Sequence, residues 1–162
     1  MLAYLFWHQP RPGVDPLAYE QSQRPFHASL ETTSACFRVA KLPFGDRESG
    51  YEDWYLVDNW EELGDLNRAA VDSPSLPDHD RAASMSAHGW GGIYSLVHGV
   101  AAVPDATTWL DKPRGEPSEQ FISSLPETSV WRRQMVLGPA PEFCLAASNS
   151  NRVSRERIWP TR

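Results

Sequence analysis

Apolar and polar positions change their period several times along the chain. From Ala3 to Gln9 aromatic and aliphatic residues predominate, the composition of a strand, until Pro10-Arg11-Pro12-Gly13 breaks it. Asp15 stands where a helix N-cap belongs, with Pro16 at the first helical position. Leu17, Tyr19, Gln23, Phe26, His27 and Leu30 then recur at near-helical spacing, so one helix is predicted, bent near Pro25. Ala35 to Leu42 alternates as a second strand, with Cys36, Arg38 and Ala40 facing one way and Phe37, Val39 and Lys41 the other. A hairpin connection over Pro43 to Gly50 leads to Tyr51–Val57, the clearest strand of the sequence. Asp58-Asn59 offers a cap, after which Trp60, Leu63, Leu66, Asn67 and Ala70 mark one face of a second helix.

A loop over Asp72 to Pro77, a short helix around Asp80 to Ala87 and a strand from Ile93 to Val97, opened by Gly91-Gly92, complete the order strand, helix, strand, strand, helix, strand. That order is the split βαββαβ, or ferredoxin-like, arrangement. The remainder carries a short, gapped likeness to the beginning. Trp109-Leu110-Asp111-Lys112 with Pro113-Arg114-Gly115 parallels Trp7-His8-Gln9 with Pro10 to Gly13, and the amphipathic stretch Pro117 to Leu125 parallels the first helix. Strands are expected at Val130 to Leu137 and Glu142 to Ala147, around the turn Gly138-Pro139-Ala140-Pro141. The predicted organisation is one α+β domain over residues 1–162: a ferredoxin-like first repeat at 1–100, a shortened βαββ second repeat at 105–148 and a tail at 149–162. Because the second copy stops after its hairpin, a sheet edge needs cover, from the tail or from a second chain.

Composition narrows the classes. The formal charge of −6 and the pI near 5.3 argue against a nucleic-acid partner, whose phosphates demand clustered Lys and Arg. The C-terminal arginines 152, 155, 157 and 162 read as a solvated end. Seven tryptophans require a core, an interface or a pocket to cover them. No apolar run is long enough to span a bilayer and the short apolar start does not read as a signal peptide, so a cytoplasmic protein is expected. Cys36 and Cys144, each in an apolar strand-like segment, read as free buried thiols.

On its element order and the strand Tyr51-Glu52-Asp53-Trp54-Tyr55-Leu56-Val57, the chain resembles the dimeric α/β-barrel superfamily. It also resembles uncharacterised bacterial proteins carrying the segment here running from Trp131 to Phe143. The resemblance implies antiparallel sheets packed as an α/β barrel, and a homodimer or a tandem repeat. The functions it implies range over small monooxygenases, haem-binding and haem-degrading proteins, dehydratases, isomerases and proteins of no known activity. Fold analogy supplies that menu and does not choose from it.

Each candidate residue carries a plain structural alternative. Alternation places Tyr4, Phe6 and His8 on one face; inside a barrel His8 would be a proton carrier or haem ligand, and otherwise a strand-end histidine bonded to a loop. His27, late in the first helix, reads as structural. Asp53 between Tyr51 and Tyr55 is a candidate general base, or else a solvent-facing carboxylate. Arg132 and Arg133 must face opposite ways, and the inward one needs an acid, for which Glu142 across the turn is the candidate. His79, His88 and His98, in or beside loops, and His79-Asp80 in particular lack a metal-ligand spacing, so no metal is expected. Gly89-Trp90-Gly91-Gly92 precedes a strand, the wrong context for phosphate. No cofactor is expected. The predicted function is binding of a small hydrophobic or aromatic metabolite in a cavity between the sheets, extending to a small cofactor-independent enzyme. The pocket would be lined by Tyr4, Phe6, His8, Trp54, Tyr55 and Trp131, with Arg132 or Arg133 and Glu142 as polar anchors and His8 and Asp53 as catalytic candidates. The alternatives are an interaction protein whose aromatic sheet face is a dimer interface, and a haem-binding barrel.

Overall fold

A computed structural model describes residues 1–45, 49–72, 74–126, 128–135, 138–146 and 155–160. Its elements are β1 (Leu2–Pro10), α1 (Pro16–Ser29), β2 (Thr33–Val39), β3 (Gly50–Val57), α2 (Trp60–Val71), α3 (Leu76–Met85), β4 (Ser86–His98), β5 (Thr107–Leu110), α4 (Ser118–Ser124), β6 (Val130–Arg133), β7 (Phe143–Ala146) and β8 (Arg155–Trp159). All the strands join one antiparallel sheet in the order β5-β7-β6-β4-β1-β3-β2-β8. The class is α+β, as expected. In place of packed sheets, a single sheet curls into a half-barrel. Its two ends approach each other: Arg155 Nη1 on β8 lies 3.3 Å from Thr107 Oγ1 on β5, and Arg157 Nη2 lies 2.8 Å from Asp105 Oδ1.

Local chemistry explains most boundaries. Asp15 caps α1 by accepting from Ala18 N at 2.8 Å, and Pro25 lies inside the helix. Asn59 caps α2 by accepting from Glu62 N at 3.0 Å, while the Glu62 carboxylate accepts from Asp58 N at 2.8 Å. The third helix starts at Leu76 instead of Asp80, because Pro77 occupies the first turn, where a missing N–H costs nothing. Accordingly His79 is helical, and His88 and His98 belong to β4 rather than to loops.

The fourth strand begins at Ser86, upstream of the glycines expected to open it. The reason is steric. A Cβ at Gly89 would stand 2.5 Å from Phe6 Cζ, and one at Gly91 would stand 3.0 Å from Tyr4 Cε2. The two rings lie across β4, so glycine is needed inside the strand. Residues 46–48, 73, 127, 136–137, 147–154 and 161–162, which include parts of the expected turns and tail and both Arg152 and Arg162, lie outside the described residues. Within the tail, β8 pairs with β2 at one end of the sheet, while β5, the opening strand of the expected second copy, stands at the other end of the strand order.

The concave side of the sheet is filled. Leu5, Trp7, Phe37, Trp54, Tyr94 and Trp131 are each at most 1% exposed. Trp7 meets Phe44 and Trp109 edge-on at 5.4 and 5.5 Å, and Trp54 meets Trp131 edge-on at 5.8 Å. One carboxylate enters this core. Glu52 accepts from Trp7 Nε1 at 3.0 Å and Trp54 Nε1 at 2.7 Å, and pairs with Arg155 Nη1 at 3.0 Å. Trp54 and Trp131, which the sequence placed in a pocket, are packed in this core. The convex side is covered by the helices, so every residue of β3 is buried. Among the described residues no helix is long and apolar enough to cross a membrane.

Candidate functional site

Strand pairing assembles the convex face from distant positions. In the antiparallel register Tyr4 is opposite Tyr55, Phe6 opposite Asp53, and Asp53 in turn opposite Cys36. Side-chain alternation sends His8, Cys36, Asp53 and Tyr55 out of the same side. Helix α1 lies over them and presents Tyr19, Gln23 and His27, four residues apart and therefore on one helical face. That buried stripe is polar, which is unusual for a helix packed on a sheet.

Asp53 is the centre, 2% exposed. His8 Nε2 lies 3.2 Å from Oδ2 and His27 Nε2 lies 3.3 Å from Oδ1. Neither contact has hydrogen-bond alignment: both ring nitrogens and Asp53 Oδ1 lack a geometrically satisfactory partner. The Tyr55 hydroxyl donates to Oδ2 at 3.1 Å. On its other side the His8 ring meets Tyr19, with Nδ1 and the hydroxyl 2.5 Å apart, and Tyr19 continues to Ser86 Oγ at 2.7 Å. Burial pushes the Asp53 pKa up, but the two imidazoles outweigh it and hold the carboxyl well below the usual range. Burial, then the Asp53 charge, pushes the Cys36 thiol and the Tyr55 phenol well up. A second polar group adjoins: the Tyr51 hydroxyl donates to Glu20 Oε1 at 3.1 Å, and Arg38 bridges Glu20 and Glu156.

Above this layer is a cleft of about 590 Å³. Tyr4, Phe6, Tyr55 and Ile93 form its floor, Trp60, Leu63, Leu66 and Ala70 its wall, and Phe26 and His79 its far end. The predicted apolar face of α2 is therefore present, yet α2 buries no residue, and Trp60 is 58% exposed. Tyr55 joins the two layers: it borders the cleft and bonds the buried Asp53.

The proposed site residues thus do not converge on one place. Tyr4, Phe6 and Tyr55 border the cleft. His8 and Asp53 lie in the buried layer, and Asp53 is not solvent-facing. His8 is sandwiched between Phe6 and Tyr51 at 5.5 and 5.4 Å, sealed from any haem in the cleft. Trp54 and Trp131 pack on the concave side, away from the others. Arg132 faces Glu142 at 3.6 Å on the surface, where such a pair contributes at most about 1 kcal/mol. Arg133, on the Trp131 side of β6, instead donates to the carbonyls of Met135, Gly138 and Ala140 and pins that turn. None of these three enters the cleft lining or the Asp53 layer. Sequence reasoning passed over His27, Cys36 and Tyr19 as participants. Spacing on α1 was the available signal, since Tyr19, Gln23 and His27 repeat every four residues.

No protein-family model, curated protein or solved structure matches this chain.

Proposed function

We propose that the protein binds a small apolar or aromatic molecule in the cleft between α2 and the convex face of the sheet, with Tyr55 as its polar contact. The observation that carries this reading is α2 itself: a capped, amphipathic helix whose apolar residues Leu63, Leu66 and Ala70 line the cleft and are no more than half-buried. An apolar face left open on one side of a cleft, floored by aromatic rings and one buried polar network, is the usual make-up of a small-molecule site. Titration with anilinonaphthalene sulfonate, followed by fluorescence, tests it. Saturable binding is expected, and Ala70→Trp, which fills the cleft from its wall, should weaken it by at least about tenfold, roughly 1.4 kcal/mol, with the circular dichroism unchanged. Absence of saturable binding, or equal affinity in the variant, would overturn the proposal.

The exposure of Trp60, Val71 and Leu76, at 58, 46 and 39%, favours a second reading in which another copy of the chain seats on α2. A molar mass that doubles with concentration, and falls back in Trp60→Glu, would support it over the ligand.

The same proposal extends to ancestry of form. The run from β1 to β4 with spatial order β4-β1-β3-β2 supports a ferredoxin-like unit to which α3 is an addition. The run β5-α4-β6-β7 with order β5-β7-β6 matches the first unit's β1-β3-β2 and supports an abbreviated second copy, joined through the β4–β6 pair.

A further inference from the structure

We propose that His8, Cys36 and Asp53 form a binding site for one zinc-class transition-metal ion beneath the cleft. The site is independent of what the cleft itself binds. A ring nitrogen of His8, Sγ of Cys36 and a carboxylate oxygen of Asp53 lie within 4.8 Å of one another, with His8 Nε2 3.2 Å from Asp53 Oδ2, and all three residues are buried. Ligand atoms 2.0–2.3 Å from a tetrahedral ion stand roughly 3.3–3.8 Å apart, so small side-chain rotations close the site.

The donor types select the ion. Imidazole, thiolate and carboxylate together suit zinc, cobalt or iron, whereas calcium and magnesium take oxygen alone. The surroundings match those of a metal-bound histidine, which normally gives its second ring nitrogen to a fixed partner. His8 Nδ1 has that partner in the Tyr19 hydroxyl, itself held by Ser86. This leaves Nε2, the nitrogen without a satisfactory hydrogen bond, aimed at the cluster. Tyr55 fixes Asp53 from above in the same way. Buried polar atoms rarely go unsatisfied, and an ion satisfies Nε2 and the carboxylate together. Three protein donors leave a fourth coordination position, as in catalytic rather than purely structural zinc sites.

The sequence contains two cysteines, which makes the test decisive on the intact chain. Cys144 is on the concave side, in the opposite core. The full-length protein is stripped with a chelator and titrated with Co²⁺. One equivalent should bind and give a thiolate-to-cobalt charge-transfer band in the near ultraviolet with intense visible bands. Zn²⁺ should displace it. Cys144→Ser should retain the charge-transfer band and Cys36→Ser should lose it. Tyr19→Phe keeps all three ligands and should weaken Co²⁺ about 10–100-fold. The cleft variant Ala70→Trp should leave the spectrum unchanged, so that failure of the cleft proposal and failure of this one are told apart. No Co²⁺ binding, binding without a thiolate band, or a band abolished by Cys144→Ser would each overturn the assignment.

Discussion

The two faces of one sheet have opposite characters. On the concave face, aromatic side chains fill the half-barrel and the buried carboxylate there, Glu52, has both oxygens committed to two indoles and a guanidinium. On the convex face, a carboxylate of equal burial, Asp53, is flanked by two imidazoles that approach without aligning, under a cleft of about 590 Å³. Both charges are costly to bury. Only the first is fully satisfied by the folded chain itself. The contrast separates a carboxylate fixed by aligned hydrogen bonds from one held by two imidazole contacts and a single phenol.

Breaking the concave side should cost most. Glu52→Ala leaves the Arg155 guanidinium, stacked on Phe37 at 3.4 Å and 2% exposed, without its acid, and frees two buried indole N–H groups. Removing one partner of a buried pair typically costs about 3–5 kcal/mol. Urea denaturation should show a loss of that size. A loss under ~1 kcal/mol, the scale of exposed pairs, would mean that Glu52 and Arg155 are not buried together.

Asp53→Asn attacks the convex carboxylate with almost no change of shape. The Tyr55 hydroxyl keeps an acceptor, while both histidines lose the charge between them. The Tyr55 bond falls from a charge-assisted one, about 1.5–3 kcal/mol, to a neutral one of about 1, and both imidazole contacts lose their charge, so the variant should be destabilised, by less than Glu52→Ala. Equal losses in the two variants would erase the distinction between the faces.

The faces also differed in how far they could be read in advance. Helix caps and periods are local, and Asp15-Pro16, Asn59 and the apolar face of α2 stood out in the sequence because neighbours decide them. The Tyr51–Val57 strand was equally plain. The convex cluster is not local. His8 and Asp53 are 45 positions apart, and what joins them is the β1–β3 register together with Cys36 opposite Asp53 on β2. Parity alone put Tyr4, Phe6 and His8 on one face but could not say which face was filled. It faced the helices, so Trp54 and Trp131 went to the other side. Arg155 was equally hidden, because a charged residue in a basic tail reads as solvated until the curl of the sheet brings it to Glu52.

A smaller effect probes the concave core through pH. The Tyr94 hydroxyl donates to Pro141 O at 2.8 Å, and burial, reinforced by the neighbouring Cys144, pushes its phenol well above the ordinary value. An unfolded phenol ionises near pH ~10, before the folded one does. Its contribution to stability is therefore complete below that pH and is lost as pH rises toward the folded pKa. Tyr94→Phe should cost about 1 kcal/mol at neutral pH. It should also flatten the fall in stability above pH ~10, leaving the share due to the convex phenols Tyr19, Tyr51 and Tyr55, which are raised as well. An unchanged alkaline slope would place Tyr94 in contact with water.

The smallest stability change should accompany the largest change in binding. Trp60 and Leu17 are both 58% exposed on helices, but Trp60 borders the cleft and Leu17 does not. Exposed substitutions away from caps and cores usually fall within about 0.5 kcal/mol, so Trp60→Ala and Leu17→Ala should unfold at nearly the wild-type urea concentration. Their affinities for anilinonaphthalene sulfonate should then part. Trp60→Ala removes a large aromatic wall of the cleft and should weaken the probe about tenfold, close to 1.4 kcal/mol, whereas Leu17→Ala should bind as the wild type does. Parallel behaviour of the two variants would mean that α2 presents ordinary surface, and the cleft would lose its claim to the function.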